Sequence, residues 1–398
     1  MVAACCQHTV LLRSDGKVEC FGRDDFGQCK VPPPEGDAIY TQVAAGFYHT
    51  VLLRSDGSAV ACGKNEHHQC DVPQPEDDLG YVQVASRGSH TVLLRSDGAA
   101  VACGLNSFGQ CNLPELDSHH VYINVAAGTY HTVLLIDDGR AVACGLNTSG
   151  QCNLPELEEG LTYTQASAGI FHTVLLRSDG RAVACGLNDC GQCSIPELEP
   201  GVCYTHVAAG SYHSVLLRSD GRAVAIGSND AGQCDIPGLQ EGVSYTHLDA
   251  GFFYTVLLRS DGRVVAVGLN ASGQCDVPAT DAGVAFCASL TPAGLDLILQ
   301  LAVEGPQAKP MLVCRSLAGT ALVSCAIGAG DLETSVLARV SREVELRGRR
   351  LRLVLPDGRL LLNGLTIAAL LGASASALQP NCASEAGAPT EVGTCCIG

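Results

Sequence analysis

One feature limits this 398-residue chain more than any other: it repeats itself every 41 residues from Val2 to about Leu290. His8, His49, His90, His131, His172 and His213 mark six copies, and Tyr254 holds the same place in the seventh. The step never varies, so no copy carries an insertion. A period of this length means that each unit is one supersecondary element, unable to bury its apolar face alone and stabilised by stacking on its neighbours.

The fifth copy, HTVLLRSDGRAVACGLNDCGQCSIPEL from His172 to Leu198, shows the content of the unit. Two apolar runs flank Asp179-Gly180, and an Asp-Gly pair recurs in all seven copies, which predicts a hairpin with a tight primed turn. Gly-Leu-Asn, two variable residues, Gly-Gln-Cys and a Pro follow, then an acidic loop leads to the next strand at Tyr204. Each copy thus holds three or four short strands. Antiparallel sheets of that size repeated radially are the logic of a β-propeller, since a lone hairpin is marginal in water.

The pattern V-x-A-G-x-x-H-T-x-x-L-x-x-D-G-x-V-x-x-x-G-x-N-x-x-G-Q resembles the repeat of the regulator of chromosome condensation family over about 290 of the 398 residues. The resemblance implies an all-β, seven-bladed propeller over 1–290. A WD-repeat propeller is excluded by the absence of Trp. Because Val2 already lies inside the first copy, the segment 283–290, in which Phe286 keeps the register of Tyr245, is expected to pair beside residues 2–12 and close the ring.

The period ends after Leu290. Residues 291–309 read as a connecting segment or a decayed copy, and 310–372 as two strands, a helix starting at Asp331, and two further strands. This order, with MLVCRSLAGTALVSCAI and RLRLVLPDGRLLLNGLTIAALLG, resembles a divergent ubiquitin-like domain of α+β, β-grasp type. No C-terminal Gly-Gly is present for conjugation, so the resemblance implies a recognition module. Residues 373–398 are small, polar and Pro-containing and are expected to be disordered.

The formal charge is −17, and residues 291–398 hold nine acidic and nine basic side chains, so the whole excess lies on the repeats. Much of it sits in the loops between copies, among them Glu76-Asp77-Asp78, Glu158-Glu159 and Glu197 with Glu199. Such a field repels phosphate backbones and attracts basic protein partners, so direct nucleic-acid binding is not expected. No run of 18 apolar residues exists to span a membrane, and no signal peptide opens the chain, which points to a cytoplasmic or nuclear monomer.

The 22 cysteines invite metal or disulfide readings. Pairs such as Cys62 with Cys70 are eight residues apart, wider than structural zinc spacing, and Ile226 and Val267 replace the first partner in copies six and seven. Core packing by reduced thiols is the better reading, with no metal and no cofactor. The histidines are spread around a circle, where they cannot converge on a metal, and suit a structural bond to backbone at the strand start.

No nucleophile, base and orienting group can be singled out, since each candidate is a repeat position. The expected function is therefore a non-enzymatic protein-interaction scaffold. Its binding residues are expected where the copies differ: before the histidine at Phe47, Tyr48, Tyr130, Phe171 and Tyr212, after Gly-Leu-Asn at Phe108 and Asp189, and in the acidic loops. The family resemblance also implies guanine-nucleotide exchange on a Ran-like GTPase, but the constant spacing leaves no room for the wedge that family exchange factors insert. It further implies a truncated HERC-type ubiquitin ligase subunit as an alternative. The related plant ultraviolet-B receptor senses light through Trp, absent here.

Overall fold

A computed structural model describes residues 1–74, 79–279 and 286, together with the backbone of four strands after residue 296. The chain divides into two units, Met1–Pro292 and Ala293–Gly398.

In the first unit every copy forms one antiparallel three-stranded sheet. Copy one supplies β1 (Val2–Cys5), β2 (His8–Leu12) and β3 (Val18–Gly22), and copy two β4 (Tyr40–Ala45), β5 (His49–Arg54) and β6 (Ala59–Gly63). The triplet recurs up to β19 (Tyr245–Ala250), β20 (Tyr254–Arg259) and β21 (Val264–Gly268), giving seven sheets. The middle strand is buried throughout because its side chains meet neighbouring sheets on both sides. Val10 and Leu12 of copy one pack with Tyr40, Val43 and Leu52 of copy two, and Val2, Ala4 and Leu11 pack with Tyr254, Val256 and Leu258 of copy seven. The second contact closes the seven sheets into a ring.

The closing joint also contains Phe286. It bridges antiparallel to Arg13 and is buried among the copy-one and copy-seven residues. Tyr40 pairs with Arg54 in the same way, so Phe286 fills the tyrosine position that precedes Val2. The rest of 283–290 lies outside the described residues.

The hairpin turn differs from the primed type that Asp-Gly suggests. Gly57 alone has positive φ, +83°, and its N–H bonds to Arg54 O while Arg54 N–H bonds to Ser58 O. This is a three-residue loop with glycine in the left-handed position. Asp56 stays in the ordinary region because its Oδ1 accepts the Ser58 N–H at 2.9 Å, an Asx turn that a primed conformation would lose.

Six of the outer loops are fixed through tyrosine and proline. Tyr40 Oη donates to Pro32 O at 2.6 Å, Tyr81 to Pro73 O at 2.7 Å and Tyr163 to Pro155 O at 2.8 Å.

In the second unit β22 (Leu297–Glu304), β23 (Met311–Arg315), β24 (Ala321–Ala326) and β25 (Leu351–Val354) form one sheet ordered β24-β23-β22-β25. β22 runs antiparallel to β23 and parallel to β25. Leu297–Glu304, inside the stretch read as a connecting segment, is therefore a strand of this sheet. The expected helix after Asp331, the strand at 360–362 and the tail from 373 lie outside the described residues. No helix among the described residues is long and apolar enough to cross a membrane.

Candidate interaction face and the ring that carries it

The repeated histidines link the sheets. Each imidazole is fully buried, and its Nε2 lies 2.9 to 3.1 Å from a side-chain hydroxyl of the next copy: His8 to Thr50, His49 to Thr91, His90 to Thr132, His131 to Thr173, His172 to Ser214 and His213 to Thr255. The hydroxyls in turn donate to the carbonyl of the Gly-Gln-Cys glutamine of the preceding copy at 2.7 to 2.8 Å, as in Thr50 to Gln28 O and Thr132 to Gln110 O. A hydroxyl has one proton, so Nε2 must be the donor to it, which fixes the tautomer. The expected backbone bond is thus replaced by a link between copies. Tyr254 takes the seventh place, with Oη 2.9 Å from Cys5 O, 2.6 Å from His8 O and 3.1 Å from Thr9 Oγ1.

Burial holds these imidazoles neutral, pushing His8 and His90 down to about 4 and His49, His131, His172 and His213 down to about 3. Their Nδ1 atoms have no hydrogen-bond partner. At four of the six the residue three places earlier is glycine, and a Cβ there would meet the ring: on Gly128 it would sit 2.6 Å from His131 Cε1 and Nδ1.

Above the histidines the Gly-Leu-Asn-x-x-Gly-Gln-Cys segment forms a rigid loop. Asn106 Oδ1 accepts Cys111 N–H at 2.9 Å, Gln110 Oε1 accepts Phe108 N–H at 3.0 Å, and Cys111 Sγ contacts Leu105 O at 3.4 Å. The same three bonds recur in copy five through Asn188, Gln192 and Cys193. The described cysteines are free. Most are half-buried, and burial pushes the Cys70 and Cys111 thiols up to about 12 and Cys193, Cys234 and Cys275 to about 11. They act as loop-closing thiols more than as core residues. Among the described residues no group of three or more His, Cys, Asp or Glu is placed to hold a metal ion.

These loops and the residues before each histidine present aromatic rings on one face. Phe26 and Tyr48 are 5.1 Å apart, Phe47 and Phe252 5.4 Å, Phe252 and Phe253 5.3 Å, and Phe253 and Tyr212 6.4 Å. With the Phe47–Tyr48 contact they make one continuous path over copies one, two, seven and six. A second path joins Phe108, Tyr130 and Phe171 at 5.2 and 5.8 Å. Arg23 lies 5.5 Å from the Tyr48 ring and Lys64 5.0 Å from that of Phe26. Phe26 and Phe108 are 41% and 45% exposed, high for such side chains. Asp189 is exposed on the same loops.

The acidic candidates lie elsewhere. Glu158 pairs with Arg177 at 3.6 Å and Glu199 with Arg218 at 2.8 Å, and these arginines end the strands that begin with His172 and His213. A six-residue strand, roughly 20 Å, separates them from the aromatic face. Glu159 and Glu197 are exposed in the same loops, and Glu76, Asp77 and Asp78 lie outside the described residues. The ring therefore divides the predicted binding residues between two opposite faces.

Sequence reasoning did not single out the axial residues. Inner strands line a channel, and at the glycine position copy three has Arg87, buried, whose Nη2 donates to Ala250 O on copy seven. Beside it is Asp249, where copy six has Ala208; its Oδ2 accepts Ala4 N–H at 2.7 Å. Burial pushes this carboxyl up, against the pull of Arg87. Phe252 does not appear among the sequence candidates either, although it fills the position of Phe47. The signal was available in each case: these are departures from a near-constant repeat.

Seven three-stranded sheets closed through equivalent contacts define a β-propeller. The residues 40–69, 81–110, 122–151, 163–192, 204–233 and 245–274 match the profile of the regulator of chromosome condensation (RCC1) repeat. Among solved structures the chain is similar to Prp20p of Saccharomyces cerevisiae, with TM-score 0.56, 19% identity, and coverage of 68% of this chain and 82% of that one. It is also similar to the ectodomain of the Physcomitrella patens receptor kinase CR4, with TM-score 0.54, 19% identity and coverage of 67% and 73%. Human WBSCR16 gives TM-score 0.52, 19% identity and coverage of 61% and 80%. No curated protein sequence matches the chain.

Proposed function

We propose that this protein is a non-enzymatic interaction scaffold that docks a protein partner on the aromatic face. The observation that carries this reading is the unbroken ring-to-ring path Phe26–Tyr48–Phe47–Phe252–Phe253–Tyr212, with Phe26 on a loop closed by Asp24 and Gln28 side-chain bonds and the other rings in the short turns before the middle strands. Aromatic side chains fixed in advance bury large area at small entropic cost, the property of interface anchors. Phe108, Tyr130, Phe171 and Asp189 extend the same surface, and the acidic loops with Glu158, Glu159, Glu197 and Glu199 steer a basic partner toward the opposite rim. Protein partners have precedents of this fold: the Prp20p structure is described with its binding to Gsp1p and histones, and Kap60 is bound to yeast RCC1 in another. The ring acts as a monomer in the cytoplasm or nucleus, and the C-terminal unit, read as a ubiquitin-like module over 310–372, connects it to a ubiquitin-type pathway.

The test is affinity purification with the full chain and with Tyr48→Ala/Phe253→Ala. Loss of a reproducible set of partners in the double variant supports the reading, and identical sets from both proteins reject it. Sub-stoichiometric acceleration of nucleotide release from a Ran-like GTPase would replace it with an exchange function.

A further inference from the structure

The channel holds a charge that the repeat does not need. In five of seven copies the residue at the top of the inner strand is glycine: Gly46, Gly128, Gly169, Gly210 and Gly251. Copy three has Arg87 there, and Arg87 lines a cavity of about 170 Å³, open to solvent and bordered by the inner strands, with Gln42, Ser86, Ser167 and Asp249 among its residues. At ~30 Å³ per water that is room for about five waters or one small organic ion.

Arg87 is 7% exposed, and of its five N–H groups one, on Nη2, reaches a protein acceptor among the described residues, Ala250 O. Asp249 is the one acidic side chain in the lining, and it does not form an ion pair with Arg87 within 4 Å. Its oxygens accept Ala4 N–H at 2.7 Å and Ala250 N–H at 2.8 Å. A guanidinium presents its remaining donors as a planar fork that matches two oxygens of a carboxylate.

We propose that the axial cavity is a binding site for a small carboxylate, its two oxygens on the free edge of Arg87. A phosphate-sized dianion suits the site less well, because Asp249 shares the enclosure. The site is separate from the aromatic face, so it stands or falls independently of the partner docked there.

The experiment is thermal unfolding of the full chain in isobutyrate, with sodium chloride at equal ionic strength as the reference. A ligand that binds only the folded state raises the midpoint with saturable concentration dependence. The expected result is a saturable rise of a few degrees in wild type, absent in Arg87→Gly, which restores the residue of the other copies. Arg87→Lys, which keeps the positive charge but loses the planar fork, should weaken the effect at least tenfold in concentration. A rise that is unsaturable, equal in chloride, or retained in both variants would overturn the site and leave Arg87 solvated by water alone.

Discussion

At the scale of single residues, the histidine links govern how the protein responds to acid. Each of the six imidazoles is neutral when folded, with values near 3 to 4, against about 6.5 in an unfolded chain. Between those values the unfolded state binds more protons, so stability falls as pH drops from about 6.5 toward 4. Six sites acting together should make acid unfolding steep, with uptake of close to six protons in that window, measurable by denaturant titrations at stepped pH. Removing the acceptor hydroxyl has a pH-independent effect. Thr132→Val leaves His90 Nε2 without its partner while Gln110 O keeps the Cys144 thiol, at a cost of about 1 to 3 kcal/mol, read from urea midpoints. Gly128→Ala should be at least as harmful although its φ is ordinary, because the new methyl meets the His131 ring.

At the scale of elements, neighbouring inner strands are stitched by carboxamides. Gln42 Oε1 accepts Val84 N–H at 2.8 Å, Gln83 Oε1 accepts Val125 N–H at 3.0 Å, and Gln165 Oε1 accepts Val207 N–H at 3.0 Å. Asn124 occupies the same position one methylene shorter, and its Oδ1 is buried without a partner. Asn124→Gln should therefore stabilise the ring by about 0.5 to 1.5 kcal/mol, seen as a higher urea midpoint with unchanged slope.

This element level also shows what could be read in advance. Strand positions, hairpins and copy number were legible because apolar periodicity and Asp-Gly are local signals. The partner of each histidine was not, because it lies on the next copy, one full step and one residue away. The constant hydroxyl after each histidine, Thr in six copies and Ser214 in one, was its trace. The candidate site was half legible: variable positions did mark the aromatic face, but a linear sequence does not show that strands of six residues hold those rings and the acidic loops at opposite ends. Arg87 and Asp249 are less legible, because they stand at strand ends beside the axis and not in the variable loops.

At the scale of the whole ring, closure depends on residues distant in sequence. Phe286 is 5% exposed and packs with Val2, Leu11 and Tyr254. Phe286→Ala should cost about 3 to 5 kcal/mol, and hydrogen exchange should quicken first in β1, β2 and β20 and last in the copies opposite. Cys190, exposed at the rim, should react with a thiol reagent in the native ring well before the half-buried Gly-Gln-Cys thiols, which mass spectrometry of labelled peptides would resolve.

The replacement of the seventh histidine by Tyr254 has a consequence for counting. Six joints are interchangeable: an imidazole of one copy finds a hydroxyl of the next, and nothing in that chemistry says when to stop. The phenol of Tyr254 meets the equivalent hydroxyl, that of Thr9, and in addition the carbonyls of Cys5 and His8, groups that belong to the beginning of the array. It works as a terminator, marking one joint as the last, so the number of blades is written into the one copy that breaks the rule.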